Sequence, residues 1–335
     1  MEGLLRDRRQ ESNLACPPGR PAGSISRRPT RNRYKEAMGR RYPLLIALLS
    51  LIWGASFMFI KVADREFDPA ALVWLRLVCA CAVLIPVALL TAGRDGLRAA
   101  RPAAGLLVVL GLVNTAIPFL LISWAETRID SGLAAILQAA APIFSALIVA
   151  RFGGERVTGV RLLGVLVGFA GVALLVGFPG RGGLLASFAV VLAALAYATG
   201  ATLGAHLSHG TQPIVVATVS TAAAALMVTP FGIATLPSSV PGWKECASIV
   251  VLGVLATGVA YILLFELLRG AGASRSILIT YLIPGVALIY GAVFLGEPIR
   301  GLSLVGLALI LGGVALAARG RRPAAARATP VVEPS

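Results

Sequence analysis

Three polar residues stand inside long apolar runs and share one spacing. Asn114, Gln138 and Thr280 each lie four residues before a proline. A proline within a helix has no N–H for the carbonyl four residues earlier, so each of these residues would carry a carbonyl without its helical partner. A polar side chain beside such a carbonyl can hold water or a polar solute. The alternative is that these polar groups only join neighbouring helices through hydrogen bonds.

Arg76 is the one charged residue of its apolar run, residues 69–91. A charge within an apolar helix is costly and usually faces a cavity or the protein interior. This placement predicts contact with a solute. The competing interpretation is structural: Arg76 extends toward the helix end, or it pairs with Glu126 or Asp130.

Aromatic residues accompany these polar groups in both halves of the chain. They lie near the middle of their apolar runs, or within about two turns of it at 1.5 Å per residue, and they are Trp53, Phe57, Tyr197, Tyr261 and Tyr281. Aromatic walls with a few polar groups suit a small organic solute better than a bare ion. The nine residues together predict a substrate-binding site where the two halves meet.

The runs that hold these residues have the composition of membrane helices. Hydrophobic residues make up 57% of the chain and charged residues 13%, with a mean hydropathy of +0.85. A soluble domain carries roughly a quarter charged residues. In lipid every backbone N–H must bond internally, which favours helices of about 20 residues. We therefore predict an all-α membrane protein with ten transmembrane helices, at 43–62, 69–91, 102–123, 131–151, 158–178, 184–206, 213–235, 246–268, 275–295 and 301–318.

An internal duplication organises the ten runs. Residues 142–174 match residues 284–316 at 12 of 33 positions without a gap. The matched positions include one proline and one Gly-Glu turn in each copy, marked by Pro142, Pro284, Glu155 and Glu297. We read these four as structural residues, with each glutamate preceding a helix whose N-terminal amides favour a carboxylate.

The two copies lie five helices apart, and five is odd, so the second copy enters the membrane from the opposite side. This predicts two inverted five-helix repeats, residues 43–178 and 179–318. Secondary transporters are often built this way, with the solute site near the midplane between the repeats. Glu155 is then expected on the cytoplasmic face and Glu297 on the outer face.

The net charge of +15 is concentrated in two tails. Basic residues outnumber acidic ones by seven in residues 1–42 and by three in residues 319–335. This distribution predicts a multi-pass protein of the cytoplasmic membrane with both termini in the cytoplasm, and it argues against nucleic acid as a partner. The N-terminal tail is expected to be disordered and attracted to the lipid bilayer, or to be an extension from a misassigned start codon.

Small residues recur in helices 5 and 10, as Gly164-x₃-Gly168 and as Gly306 followed by Gly312-Gly313. Such spacing permits close helix packing. Because these helices are equivalent in the repeat, we assign them to a scaffold or a homodimer surface rather than to the solute pathway.

Motifs for other chemistry are absent from the sequence. It contains no Walker A loop, no zinc-ligand cluster and no Gly-x-Ser-x-Gly turn. We expect no metal, no cofactor and no enzymatic activity. A membrane-embedded enzyme would cluster His, Asp or Ser at one depth, and a passive channel would show a continuous polar stripe; both remain as alternatives.

Three stretches resemble the EamA family of the drug/metabolite transporter superfamily. They are "LIWGASFMFIK", "LVWLRLVCA" and the paired "P…(F/L)GE…G…G…G" halves, and the resemblance covers about residues 43–318. It implies secondary active transport of a metabolite, such as an amino acid, a nucleoside or a drug, often outward and commonly in exchange for protons. One departure is that Tyr197 stands where the first repeat has Trp53, with Ala198 in place of Gly54.

Overall fold

A computed structural model describes residues 28–152, 159–176, 183–207, 210–271, 276 and 278–319. The chain divides into an N-terminal unit, Met1–Arg41, and a main unit, Tyr42–Ser335. In the N-terminal unit the described residues are helical from Arg28 onward. Residues 28–42 of the predicted tail are thus helical, where Lys, Glu, Ala, Met and Arg favour helix and no proline follows Pro29 until Pro43, and residues 1–27 of that tail lie outside the described residues.

Ten apolar helices make up the main unit within the described residues. Nine are long and apolar enough to cross a membrane, and the tenth, α5, is shorter at 17 residues. The predicted fold class, an all-α membrane protein with two five-helix repeats, is confirmed. The helices are α1 (Arg28–Ala63, with Arg41–Ala63 as its apolar part), α2 (Pro69–Thr91), α3 (Gly93–Glu126), α4 (Ser131–Phe152), α5 (Val160–Val176), α6 (Gly183–Leu207), α7 (Pro213–Ala234), α8 (Trp243–Arg269), α9 (Leu278–Leu295) and α10 (Gly301–Ala318).

Helices α5 and α10 pack with their backbones in close approach. A Cβ added to Gly164 would lie 2.6 Å from the Gly313 carbonyl oxygen, and one on Gly171 would lie 3.0 Å from that of Gly306. Because Gly164 matches Gly306 and Gly171 matches Gly313 in the repeat, the same contact is made twice. Close packing through small residues stabilises helix pairs in lipid, where apolar burial gives little driving force.

The turns that follow α1, α3, α7 and α9 meet at one end of the bundle. Glu66, after α1, accepts a hydrogen bond from the backbone N–H of Gly242, which precedes α8. The turn after α9 contacts Ser131, the first residue of α4. These four odd-numbered helices therefore end on the same side of the bundle, as an inverted repeat with an odd offset requires.

Glu297 holds a helix other than the one expected. Its carboxylate accepts hydrogen bonds from Ser131 N (2.9 Å), Ser131 Oγ (2.8 Å) and Gly132 N (3.2 Å), so it caps α4 rather than the adjacent α10. Gly296 reverses the chain with a φ of +69°, which glycine adopts without steric cost. The interpretation that Glu297 serves the helix it precedes is wrong, and Glu155 lies outside the described residues.

Three helices depart from regular α geometry. Residues Leu112–Ala116 of α3 and Val251–Val259 of α8 are π-helical, and α4 is interrupted at residues 139–140. Asn114 lies in the first of these segments and Gln138 at the last residue before the interruption, each upstream of its proline. Around Pro284, in contrast, α9 is continuous.

Candidate functional site: a cavity between the repeats

The described helices enclose a central cavity of about 490 Å³. Helices from both repeats form its wall: α1 to α4 from the first, and α6, α8, α9 and α10 from the second. Eight of the nine predicted binding residues line it, namely Trp53, Phe57, Arg76, Asn114, Gln138, Tyr197, Tyr261 and Thr280.

Tyr281 is a correction to the predicted set. Among the described residues it does not line the central cavity, and it packs against the hydrophobic core instead. Successive residues of an α-helix point about 100° apart, so Thr280 and Tyr281 cannot both face the cavity squarely.

Arg76 is buried in the cavity wall with its side chain only 6% exposed. Its Nε donates to Thr257 Oγ1 at 3.0 Å, and its guanidinium carbon lies 3.9 Å from the centre of the Phe119 ring. Asp130 instead lies 3.8 Å from Arg300, and Arg76 forms no ion pair within the described part of the chain. The alternatives in which Arg76 extends toward the helix end or pairs with Glu126 or Asp130 are therefore wrong.

The aromatic wall is held in place by a hydrogen bond and a ring contact. Trp53 Nε1 donates to the Ala256 carbonyl at 3.0 Å, which joins α1 to α8. The Tyr197 ring lies 6.4 Å from that of Phe119, centre to centre. These contacts fix aromatic faces from both repeats around one space.

The polar side chains of the wall have different surroundings. Asn114 packs against Gly200 of α6, where an added Cβ would lie 2.5 Å from the Asn114 Cβ. Gln138 Oε1 is buried and accepts no hydrogen bond from the described residues. A buried acceptor without a donor costs about 1–3 kcal/mol. A donor group on a bound solute would remove that cost.

Sequence reasoning missed two side chains that contact Arg76 and the contribution of helix α10 to the cavity wall. Phe119 and Thr257, the two partners of Arg76, both line the cavity. Phe119 is next to a proline already singled out, and Thr257 is a lone hydroxyl in an apolar run, so both had a weak signal. Helix α10 also contributes Val314 and Ala317. Its assignment away from the cavity is therefore wrong, because one face of α10 packs on α5 and another faces the cavity.

A second, smaller cavity of about 290 Å³ lies where α1, α3 and α9 end. We call it the acidic pocket, after the four carboxylates among its lining residues, which are Lys61, Asp64, Arg65, Glu126, Thr127, Asp130, Leu295 and Glu297. Lys61 Nζ donates to the backbone carbonyls of Glu126 and Ile129, so it closes the end of α3.

Two carboxylates of the acidic pocket, one fully buried and one half-buried, are incompletely bonded. Glu126 is fully buried, and neither of its carboxylate oxygens has a hydrogen-bond partner among the described residues. Asp64 Oδ1 accepts from Ser123 Oγ at 2.9 Å, but its Oδ2 is buried without a partner in the same part of the structure. Burial is the main cause that raises the pKa of Asp64 from its usual 3.8 to about 7.

Metal-ligating residues are not grouped in the described ranges. No set of three or more His, Cys, Asp or Glu side chains there is placed to hold a metal ion.

Comparisons with known proteins agree on the class of molecule. A probable terminal-alkyne amino-acid exporter of Streptantibioticus cattleyicolor is 30% identical over 83% of this chain and 94% of its own length. A probable amino-acid metabolite efflux pump of Escherichia coli is 28% identical over 83% of this chain and 94% of its own. A solved crystal structure superposes with a TM-score of 0.60 over 83% of this chain and 96% of that chain at 22% identity, which shows the fold alone.

The model of the EamA-like transporter family matches the chain twice, at residues 40–177 and 184–319. The two matches nearly coincide with the two predicted repeats. The relatives are described as transporters and exporters, and the helices are long enough to span a bilayer. The chain is thus a multi-pass membrane protein that belongs to the EamA-like transporter family.

Proposed function

We propose that this protein is a secondary active transporter that exports a small organic solute carrying a carboxylate, of the amino-acid type, by alternating access. The observation that carries the proposal is the single cation of the central cavity. Among the described residues that line it, Arg76 alone is charged, and its surroundings are apolar and aromatic.

The charge of Arg76 favours an anionic group on the solute. A guanidinium presents paired N–H donors that match a carboxylate. The Nε–H of Arg76 donates to a neutral hydroxyl, that of Thr257, and not to a carboxylate. A desolvated cation without an anion is costly, so a carboxylate entering the cavity would gain both attraction and hydrogen bonds. Gln138 and Asn114 add polar groups on the same wall.

The predicted binding residues, with Tyr281 removed and Phe119 and Thr257 added, form the proposed solute site. Aromatic faces from α1, α6 and α8 would contact the apolar part of the solute. The names of the two exporters support an amino-acid metabolite as the cargo. The basic tails support cytoplasmic termini, and with that orientation Glu297 and the acidic pocket would lie on the outer face. Helix α5 remains our proposal for a homodimer surface.

Transport in vesicles tests this function. The purified chain in phosphatidylethanolamine and phosphatidylglycerol vesicles should move propargylglycine, an alkyne amino acid, or another amino acid of a labelled panel. Arg76→Lys should retain part of the activity because it keeps the charge. Arg76→Ala should lose it at normal membrane abundance, whereas Arg269→Ala, at an exposed pair with Glu266, should not. Full transport by Arg76→Ala, or no transport of any amino acid by the wild type, would contradict the proposal.

A further inference from the structure

The acidic pocket holds more negative charge than its surroundings neutralise. Four carboxylates, those of Asp64, Glu126, Asp130 and Glu297, line it with two cations, Lys61 and Arg65. Glu297 is satisfied by three donors at the start of α4. Lys61 is bonded to backbone carbonyls. The unbalanced charge therefore falls on Asp64 and Glu126.

Glu126 is the more deeply placed of the two. It is fully buried. Neither of its carboxylate oxygens is exposed to solvent, and neither accepts a hydrogen bond from the described residues. A hydrated ion or an organic cation has no access to those oxygens, whereas a proton needs no space. An isolated carboxylate in such surroundings is normally neutralised rather than kept charged.

The remaining charged groups do not remove this imbalance. Asp68 adds a further negative charge near Asp64. Arg76 faces Glu126 from α2 at long range without forming an ion pair. At the rim, Arg300 lies near Asp130, and Arg65 is exposed. The groups that face Asp64 and Glu126 from α1, α2, α3 and the turn after α9 thus leave one negative charge of this pair unneutralised.

The acidic pocket is joined to the central cavity by two helices. On α1, Ile60 lines the central cavity and Asp64 follows it by four residues. On α3, Ile122 lines the central cavity and Glu126 follows it by four residues. Positions four residues apart share a helix face and are separated by about 6 Å along the axis. A change of charge in the acidic pocket therefore acts one turn away from the solute wall.

From these observations we infer that Asp64 and Glu126 together bind one exchangeable proton, and that this proton site is the one coupled to solute movement. The inference rests on the proposed transport function. When the pair is deprotonated, the fully buried charge of Glu126 and the half-buried charge of Asp64 repel each other across the ends of α1 and α3. When one proton is bound, the repulsion ends and the two helices can approach. The carboxyl oxygen gains the proton, and no bond other than O–H is made or broken.

Infrared titration tests proton binding without a solute. The full chain in the same vesicles should show a protonated-carboxyl band that disappears as the pH rises through neutrality. Asp64→Asn keeps the acceptor for Ser123, and Glu126→Gln keeps the size of the buried group; each should remove or displace the band. Asp68→Asn is the matched control, since asparagine still caps α2 and the side chain is exposed. A band unchanged in both pocket variants, or no such band in the wild type, would overturn the inference.

Transport tests the coupling separately. In the wild type, outward movement of propargylglycine should acidify the compartment that the solute leaves. Asp64→Asn should lose the response of transport to a pH gradient, while exchange of solute at equal pH continues. Replacing sodium with choline should change nothing; a requirement for sodium would overturn the inference.

If Glu126→Gln does not accumulate in the membrane, Asp64→Asn decides alone. Solute transport without any pH response would refute the proton site and leave the transport function standing, while an infrared band without solute transport would do the reverse.

Discussion

Removal of the charge on Glu297 should loosen the start of α4. In Glu297→Gln, the carboxylate that accepts from Ser131 N, Ser131 Oγ and Gly132 N is replaced by an amide with one acceptor oxygen. Hydrogen bonds to a charged acceptor contribute about 1.5–3 kcal/mol each, and loss of charge also removes the attraction to the helix N-terminus. Because one acceptor remains and Glu297 is half-buried, we expect a loss of about 2–4 kcal/mol.

Thermal unfolding in detergent measures this loss, with an expected fall in the midpoint of roughly 3–6 °C for a chain of this size. Glu266→Gln is the matched control, since its ion pair with Arg269, at 2.6 Å, joins side chains that are 57% and 69% exposed. Exposed pairs contribute about 0–1 kcal/mol, so the control midpoint should hardly move. Equal shifts in the two variants would refute the view that Glu297 stabilises the contact between the repeats.

Further expectations concern packing, pH and the solute wall. Gly313→Ala should destabilise the protein, because its Cβ would lie 2.5 Å from the Gly168 backbone nitrogen, whereas Gly312→Ala meets nothing within 4 Å and should leave the thermal midpoint equal or higher. Because folding raises the pKa of Asp64 to about 7, folding takes up a proton between pH 3.8 and about 7. Wild-type stability should fall as the pH rises through that window and then level off, and Asp64→Asn should remove this slope; the same slope in the variant would contradict the assignment. Substituting Gln138 and Thr280 by Leu together should impair amino-acid transport at normal abundance, and unchanged kinetics would place the solute elsewhere.

The helices and their repeat could be predicted from the sequence because the signals are local. Hydropathy over about 20 residues marks a span, and the matched prolines and Gly-Glu turns mark the duplication. The contact made by Glu297 could not be predicted in the same way. It depends on which helix end the turn after α9 meets, and that neighbour, Ser131, is 166 residues distant along the chain.

The central cavity was predicted better than the acidic pocket for a physical reason. A polar residue in the middle of an apolar run, such as Arg76 or Gln138, is conspicuous because lipid cannot accept it. Asp64 and Glu126 stand at the ends of their runs, where an acid is expected to be solvated. Their burial is produced by tertiary packing of α1 against α3. The available signal was the spacing of four from Ile60 and Ile122, which has meaning only once those residues are known to face a cavity.

The irregular segments of α3, α4 and α8 have a consequence for how the molecule can bend. Each lies beside the central cavity, at Asn114, at Gln138 and at Thr257, where the regular ladder of backbone hydrogen bonds is interrupted. A helix bends most easily at such points. The α5–α10 pair is packed more rigidly, because the backbones of the two helices are in close contact at their glycines. We therefore expect the three helices to bend at the solute wall and to reshape the cavity, while α5 and α10 move as one unit with their packing intact.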